Sequence, residues 1–437
     1  MPDQRPHANP EQTTGTAIRG VVAAGLLTAI FILGAVLVSR WATGPSRAAW
    51  DQNTYHLPVI RQFERQWPRP DFSDYPSATT PGYHVVLAAA GHWLGNDTTT
   101  LRRVGALFTI GLLATLALAV GRRAGTGTTL ALCLPLLCSL YVLSSGVWIL
   151  PDNAGWWGAL GALLIALRPR VDRWTHWLGG LVVLALVMVR QIDLWVAAPL
   201  CAAVWLGDGS PRKGASIEPS QDRVRRLMWM LAALVPALAV VGYFFHLWHG
   251  TAPPQQQRLV GGGNPAAPAA ALAVIGVLGL FYAGYFWPEL SQRFFRTARW
   301  AIAGGVCGAV VGVIPCTMYD EVAGRYSGIW TLARRLPYVC GRSPVIVGLS
   351  IVGGAVVALW LAALPVRDRV VCAVATIAFL AAQASGHYAF QRYYEPLILI
   401  AAAATAVRVK HSPARWAVIG PLLLAVLLSA VTAMSLR

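Results

Sequence analysis

The sequence predicts an all-α, polytopic membrane protein: a bundle of transmembrane helices. Three observations predict it. The 437 residues are 56% hydrophobic and only 12% charged, whereas a soluble domain carries roughly 25% charge. Apolar runs long enough to cross a bilayer recur along the whole chain. The basic residues between those runs fall in alternate connections, as membrane topology requires. The net charge of +17 is therefore topological and calls for no nucleic-acid partner, because the arginines are scattered and form no tract. Lysine occurs only at 213 and 410, an arginine bias that points to a GC-rich bacterial genome. Most of the seven cysteines lie within apolar runs, where Cys acts as a small hydrophobe. Cys316 and Cys340 are the pair that one disulfide could join.

Taken in order, residues 1–17 form a polar N-terminus with Pro2, Pro6 and Pro10, expected to be disordered and cytoplasmic. Residues 18–437 form one membrane domain. The first apolar run, Ala17 to Val38, is too long for a signal-peptide core and reads as a retained span. Spans are expected near 18–39, 103–121, 127–148, 153–167, 174–190, 191–207, 227–247, 267–287, 300–317, 344–364, 370–387, 391–407 and 416–434. That makes thirteen, or as few as eleven, because the fourth to sixth are short and closely spaced. With the N-terminus inside, Arg122 and Arg123, Lys213 and the basic residues of 168–173, 288–299, 365–369 and 408–415 are cytoplasmic. The loops 40–102, 149–153, 248–266 and 318–343 then share the other face. Tyr83 to Leu94 is too short to span and is expected to lie at the interface as a helix.

The candidate chemistry sits on that non-cytoplasmic face. Asp51 opens the stretch Asp51-Gln52-Asn53-Thr54-Tyr55-His56-Leu57-Pro58, just beyond the first span and without a Lys or Arg up to Ile60. A carboxylate at a membrane boundary needs solvation or a partner. As a general base it would take a proton from a reacting hydroxyl; the plainer reading is a loop acid in water. Asp152 follows Pro151 at the mouth of the third and fourth spans. There it suits a helix dipole or a substrate equally. Arg190 and Gln191 interrupt two apolar runs: Arg190 either pairs with Asp193, grips a phosphate with its planar fork, or merely ends a helix. Arg258 precedes Gly261-Gly262-Gly263-Asn264, where backbone amides could cradle an anion or simply flex. Arg392, Tyr393 and Tyr394 make a phosphate or sugar platform, or an aromatic belt. Asp320 and Glu321 suit a solvated loop better than a cation site. His246 and His249 have HxxH spacing but lack the further ligands a zinc site needs.

In this order the motifs resemble a known family. Asp51 to Pro58, then Thr79-Thr80-Pro81-Gly82-Tyr83, Asp152-Asn153-Ala154-Gly155, Arg190-Gln191 with Trp195, Leu259-Val260-Gly261, and Arg392-Tyr393-Tyr394 with Pro396 look like the eukaryotic dolichyl-phosphate-glucose-dependent alpha-1,2-glucosyltransferases. The resemblance runs from about 18 to 408. It implies a GT-C fold and an inverting transfer of a hexose, with glucose the first candidate. The donor would be polyprenyl-phosphate-linked and the acceptor a glycan or glycolipid. The reaction would take place on the non-cytoplasmic face, periplasmic or extracellular, of a bacterial plasma membrane. Asp51 is carried over as the catalytic acid. His56, Tyr83, Asp152, Arg190, Gln191, Arg258, Arg392, Tyr393 and Tyr394 are the expected substrate-binding residues. Arginine can meet the leaving phosphate, so no cofactor is required, although a divalent cation is left open. Two departures bear on the sugar and the acceptor. The family's second acid is here Gln52, and its glycine-loop acid is replaced in Gly262-Gly263-Asn264. A transporter or flippase of lipid-linked sugars is the alternative, and a non-catalytic scaffold a third; neither repeats nor paired broken helices are evident in the sequence.

Overall fold

Apolar composition without alternating patterning dictates helices here, because a bilayer leaves each backbone amide only its own segment as partner. The computed structural model describes residues 10–41, 46–73, 75–208, 220–260, 262–318 and 326–436, without the side chains of 10–17, 41 and 258–260. The N-terminal residues 1–9, Lys213, Gly261, Asp320 and Glu321 lie outside the described residues, as does the Arg258 side chain. Among the described residues there is no strand, only two isolated bridges, Tyr326 with Ala389 and Val339 with Arg342. Each of the thirteen apolar runs coincides with a helix or with two or three adjoining helices. Among the described residues, six helices are long and apolar enough to cross a membrane, and the pair Thr126–Cys138 and Leu140–Val147, bent by 70°, makes up to seven. The protein is thus an all-α membrane protein with several long apolar helices. Arg173–Val189, Gln191–Leu206 and Ile419–Ser435 are apolar but shorter.

Helix packing relies on glycine where two backbones meet. Pro344–Ala363 lies between Ala267–Gly279 and Phe294–Val313. A Cβ on Gly353 would overlap the Leu272 carbonyl, and one on Gly308 the Ser350 carbonyl. Lipid chains offer helices no hydrophobic drive to associate, so close approach of small residues supplies the contact. The polar connections sort to two ends. At one end Arg408 donates to Asp368 and to the Leu167 carbonyl. There Arg367 donates to the Gly207 carbonyl, and the Val171 N–H to Asp208. These are the connections the sequence assigns to the cytoplasm.

At the other end the chain between the first two long helices folds into a cap. Leu57, Ile60 and Phe63 recur at helical spacing on Leu57–Arg65. They are buried with Tyr75, Tyr83, Leu87, Phe244 and Trp248. The 13-residue helix Gly82–Leu94 forms where a short interfacial helix is expected. Trp93 and Leu94 at its end are 75% and 67% exposed, so its C-terminal turn is free to meet lipid headgroups. Cys316 and Cys340 are free thiols.

Candidate active site

The cap closes over a cavity of about 630 Å³, and local sequence aims the site residues into it. Ser46 caps the short helix Arg47–Asp51, its hydroxyl accepting from the Ala49 N–H. Residues Gln52–His56 then widen into a π-helical turn before Leu57–Arg65. The cause is Pro58, which has no N–H to give the Thr54 carbonyl. The Leu57 N–H reaches five residues back to the Gln52 carbonyl instead. π-turns are frequent at functional sites because they re-aim side chains. Here Asp51, Gln52 and His56 all turn inward, while Asn53 and Thr54 stay exposed.

Asp51 meets Arg392, whose Nη1 donates to Asp51 Oδ2 at 2.7 Å. Arg392 sits in the turn Gln391–Tyr393 that leads into helix Glu395–Ala406. Gln391 anchors that turn, its amide accepting from the Ile329 N–H and donating to Glu395. A second acid–arginine pair stands beside the first: Arg190 Nη1 to Asp152 Oδ1, 3.3 Å. Tyr393 lies between the two arginines. Its ring centroid is 4.8 Å from the Arg190 guanidinium carbon and 5.1 Å from that of Arg392. Such stacking over an aromatic face holds a cation at low desolvation cost. His56 lines the same wall. Burial lowers its pKa to about 4, against the opposing pull of Asp152 and Asp51.

Most of the residues singled out from sequence reach this cavity. Asp51, His56, Asp152, Arg190, Gln191, Arg392 and Tyr393 all line it. Gln191 also stitches the cap. Its amide accepts from the Thr80 N–H and donates to the Ala78 and Thr251 carbonyls. Two residues expected at the substrate lie outside the cavity wall, and one of the alternatives for Arg190 is not taken. Tyr83 is buried against Phe108 and His84 and does not line the cavity. Tyr394 is likewise buried, edge-on to Phe379. Arg190 bonds Asp152 rather than Asp193, whose Oδ2 is buried without a partner. Beyond Gly261, which lies outside the described residues, the Asn264 N–H donates to the Ala384 carbonyl and its side-chain amide to the His387 carbonyl, and Gly262 and Gly263 are not in the cavity wall.

Sequence reasoning missed the aromatic mouth and the role of Gln52. Trp50, Tyr55, Tyr388 and Phe390 line the cavity. Arg47 and Arg392 share the Phe390 ring, each guanidinium carbon 5.3 Å from its centroid. Gln52 Oε1 accepts from Arg102 Nε at 2.9 Å and from the Ile149 N–H at 3.2 Å. Gln52 is therefore a buried brace that ties its own turn to helix Thr98–Gly121 and to the turn at Ile149. Among the described residues, no three His, Cys, Asp or Glu side chains group as metal ligands. No protein-family model, curated protein or solved structure matches the chain.

Proposed function

We propose that the protein is an inverting glycosyltransferase of the GT-C type, with thirteen spans. It would move a hexose, glucose first among the candidates, from a polyprenyl-phosphate donor to a hydroxyl on the periplasmic face. One observation carries the reading: two carboxylates, Asp51 and Asp152, and three arginines, Arg47, Arg190 and Arg392, from distant parts of the chain line a single cavity with an aromatic mouth. That combination suits a sugar phosphate, since arginine forks match phosphate oxygens and aromatic faces suit sugar rings. The sequence resemblance points the same way.

The chemistry follows from the charges. Asp51 accepts the proton as the acceptor O–H bond breaks. The new C–O bond forms as the anomeric carbon parts from the phosphate oxygen. Single displacement requires base and leaving group on opposite sides of the sugar, so the anomeric configuration would invert. The phosphate departs with an additional negative charge, which Arg190 and Arg392 would meet.

The test uses the full chain in liposomes with a radiolabelled polyprenyl-phosphate hexose and a glycolipid bearing free sugar hydroxyls as acceptor. Label should leave the lipid with inverted configuration, and Asp51→Asn should stop it. Label that crosses the bilayer with its glycosyl bond intact identifies a transporter and sinks the proposal.

A further inference from the structure

A row of buried polar side chains runs back from His56, away from the cavity. His56 Nδ1 lies 2.8 Å from His84 Nε2, and His84 Nδ1 lies 2.8 Å from the Tyr75 hydroxyl. Tyr75 in turn donates to the Thr80 carbonyl at 3.4 Å. His84, Tyr75 and Thr80 are each 0% exposed. Phe63 and Trp248 stack on Tyr75, with centroids 5.7 and 6.0 Å away, so its ring is fixed. The transfer chemistry uses none of the members behind His56.

The row has a direction. A carbonyl only accepts, so we assign it the single proton of Tyr75. The Tyr75 oxygen then accepts from His84 Nδ1–H. A neutral His84 holds one ring proton, so its Nε2 accepts, and the donor is His56 Nδ1–H. His56 is left with a bare Nε2, the nitrogen that His84 does not engage, on a ring that lines the cavity. Burial keeps both rings neutral: it lowers His56 to about 4 and His84 well below its ordinary value. The charged groups facing His56 are Asp51, Asp152 and Arg392, with His84 behind it.

We propose that His56 positions the acceptor, its unprotonated Nε2 taking a hydrogen bond from a hydroxyl adjacent to the one that Asp51 deprotonates. The inference rests on the transferase reading and names the acceptor class. Asp51 and His56 stand one widened helical turn apart on one wall, and both only accept. A ligand that satisfies both must donate twice from neighbouring positions. A sugar with vicinal hydroxyls does so, and an alcohol with one hydroxyl does not. Trp50 and Tyr55, edge-to-face at 5.3 Å, offer apolar faces beside that diol.

The test is nitrogen NMR of the full chain, labelled at histidine, in lipid nanodiscs. His56 should appear as the Nδ1–H tautomer. Methyl glucopyranoside, the diol probe, should move its Nε2 resonance, and cyclohexanol should not. Tyr75→Phe keeps the stacked ring but removes the proton that orders the row, so His56 should shift toward the Nε2–H form. A wild-type His56 protonated at Nε2, or equal responses to the two probes, overturns the proposal. The readout needs no turnover, and Asp51→Asn should leave the tautomer unchanged. A failure of the transferase reading, seen in the liposome assay, is therefore separable from a failure here.

Discussion

Arg392 Nη1 stands 2.7 Å from Asp51 Oδ2 across 341 positions of sequence. The contact ties the turn before helix Glu395–Ala406 to the widened turn at Gln52–His56. Its side chains are 28% and 11% exposed, so it is neither a surface pair nor a fully buried one. A surface pair contributes about 0–1 kcal/mol, and truncating one partner of a buried pair costs roughly 3–5 kcal/mol. The pair also has a chemical consequence. A phosphate that arrives at Arg392 must share the guanidinium with Asp51, and any share it takes leaves the carboxylate a better proton acceptor.

The pair can be measured by a double-mutant cycle. Arg392→Ala strands a carboxylate in the cavity wall and should cost about 1–3 kcal/mol. Removing both partners should cost less than the sum of the single losses, with a coupling of about 1–2 kcal/mol. Thermal unfolding in detergent reads it, and strict additivity would mean the two side chains do not interact. Arg392→Lys should slow transfer, since a point charge replaces a planar fork. Asp51→Asn should slow it about 100- to 10,000-fold while leaving donor binding intact.

Two glycines of one helix make a structural prediction. Gly353 and Gly348 both lie in Pro344–Ala363. A Cβ at 353 meets the Leu272 backbone, which cannot rotate aside, whereas one at 348 meets nothing within 4 Å. Alanine gains up to about 1 kcal/mol of helix propensity at either site. At 353 the overlap should outweigh that gain, for a net loss of about 1–3 kcal/mol. Gly353→Ala should lower the thermal midpoint and Gly348→Ala should hold or raise it. Equal midpoints would mean that the helices slide apart without cost.

Much of this architecture was legible because its signals are local. Apolar runs, Pro58 and the helix start at Asp152 each act through their immediate neighbours. So the helices could be read, and Asp51, Arg190 and Arg392 stood out as charges at the ends of apolar runs. What escaped depends on which way a side chain turns once distant segments meet. Tyr83 and Tyr394 look like any aromatic at a membrane boundary, and only packing shows them buried. Arg190 has Asp193 three residues away in sequence, yet the 3-10 turn after Arg190 carries Asp193 out of its reach, and Asp152, 38 positions earlier, receives it. The His56–His84–Tyr75 row had no sequence signal at all. It requires Thr80 to be held by Gln191 and by the Val187 carbonyl, contacts spanning 111 and 107 positions.

Acid should destabilise the cap through His56. The ring titrates near 6.5 when unfolded and near 4 when folded, because burial opposes its charge. Between those values the unfolded chain binds more protons, so stability falls as pH falls. The contribution is complete above pH 6.5 and is lost as pH drops toward 4. At about 1.4 kcal/mol per pH unit it amounts to at most about 3 kcal/mol. His84 shifts in the same direction. Thermal midpoints between pH 7 and 4.5 should therefore drop further for the parent than for His56→Gln. Parallel curves would assign the acid sensitivity elsewhere.

The second acid–arginine pair should behave unlike the first. Asp152 and Arg190 have side chains only 14% and 9% exposed, and Trp156 and Tyr393 flank the guanidinium. Asp152→Asn removes the anion but keeps the shape. Arg190 is then left as a cation without its hydrogen-bonded anion, so the fold should lose about 1–3 kcal/mol. The cavity gains one unit of positive charge, so a donor phosphate should bind tighter, by up to about tenfold if 1.4 kcal/mol of repulsion from the carboxylate is relieved. Transfer per bound donor should stay near the parental rate, because the proton goes to Asp51. Asp51→Asn should do the reverse, losing turnover with donor binding retained. Single-turnover rates with saturating polyprenyl-phosphate hexose separate the two variants. If Asp152→Asn stops transfer and Asp51→Asn does not, the base is Asp152, and the Asp51–Arg392 pair is a structural latch on the cap.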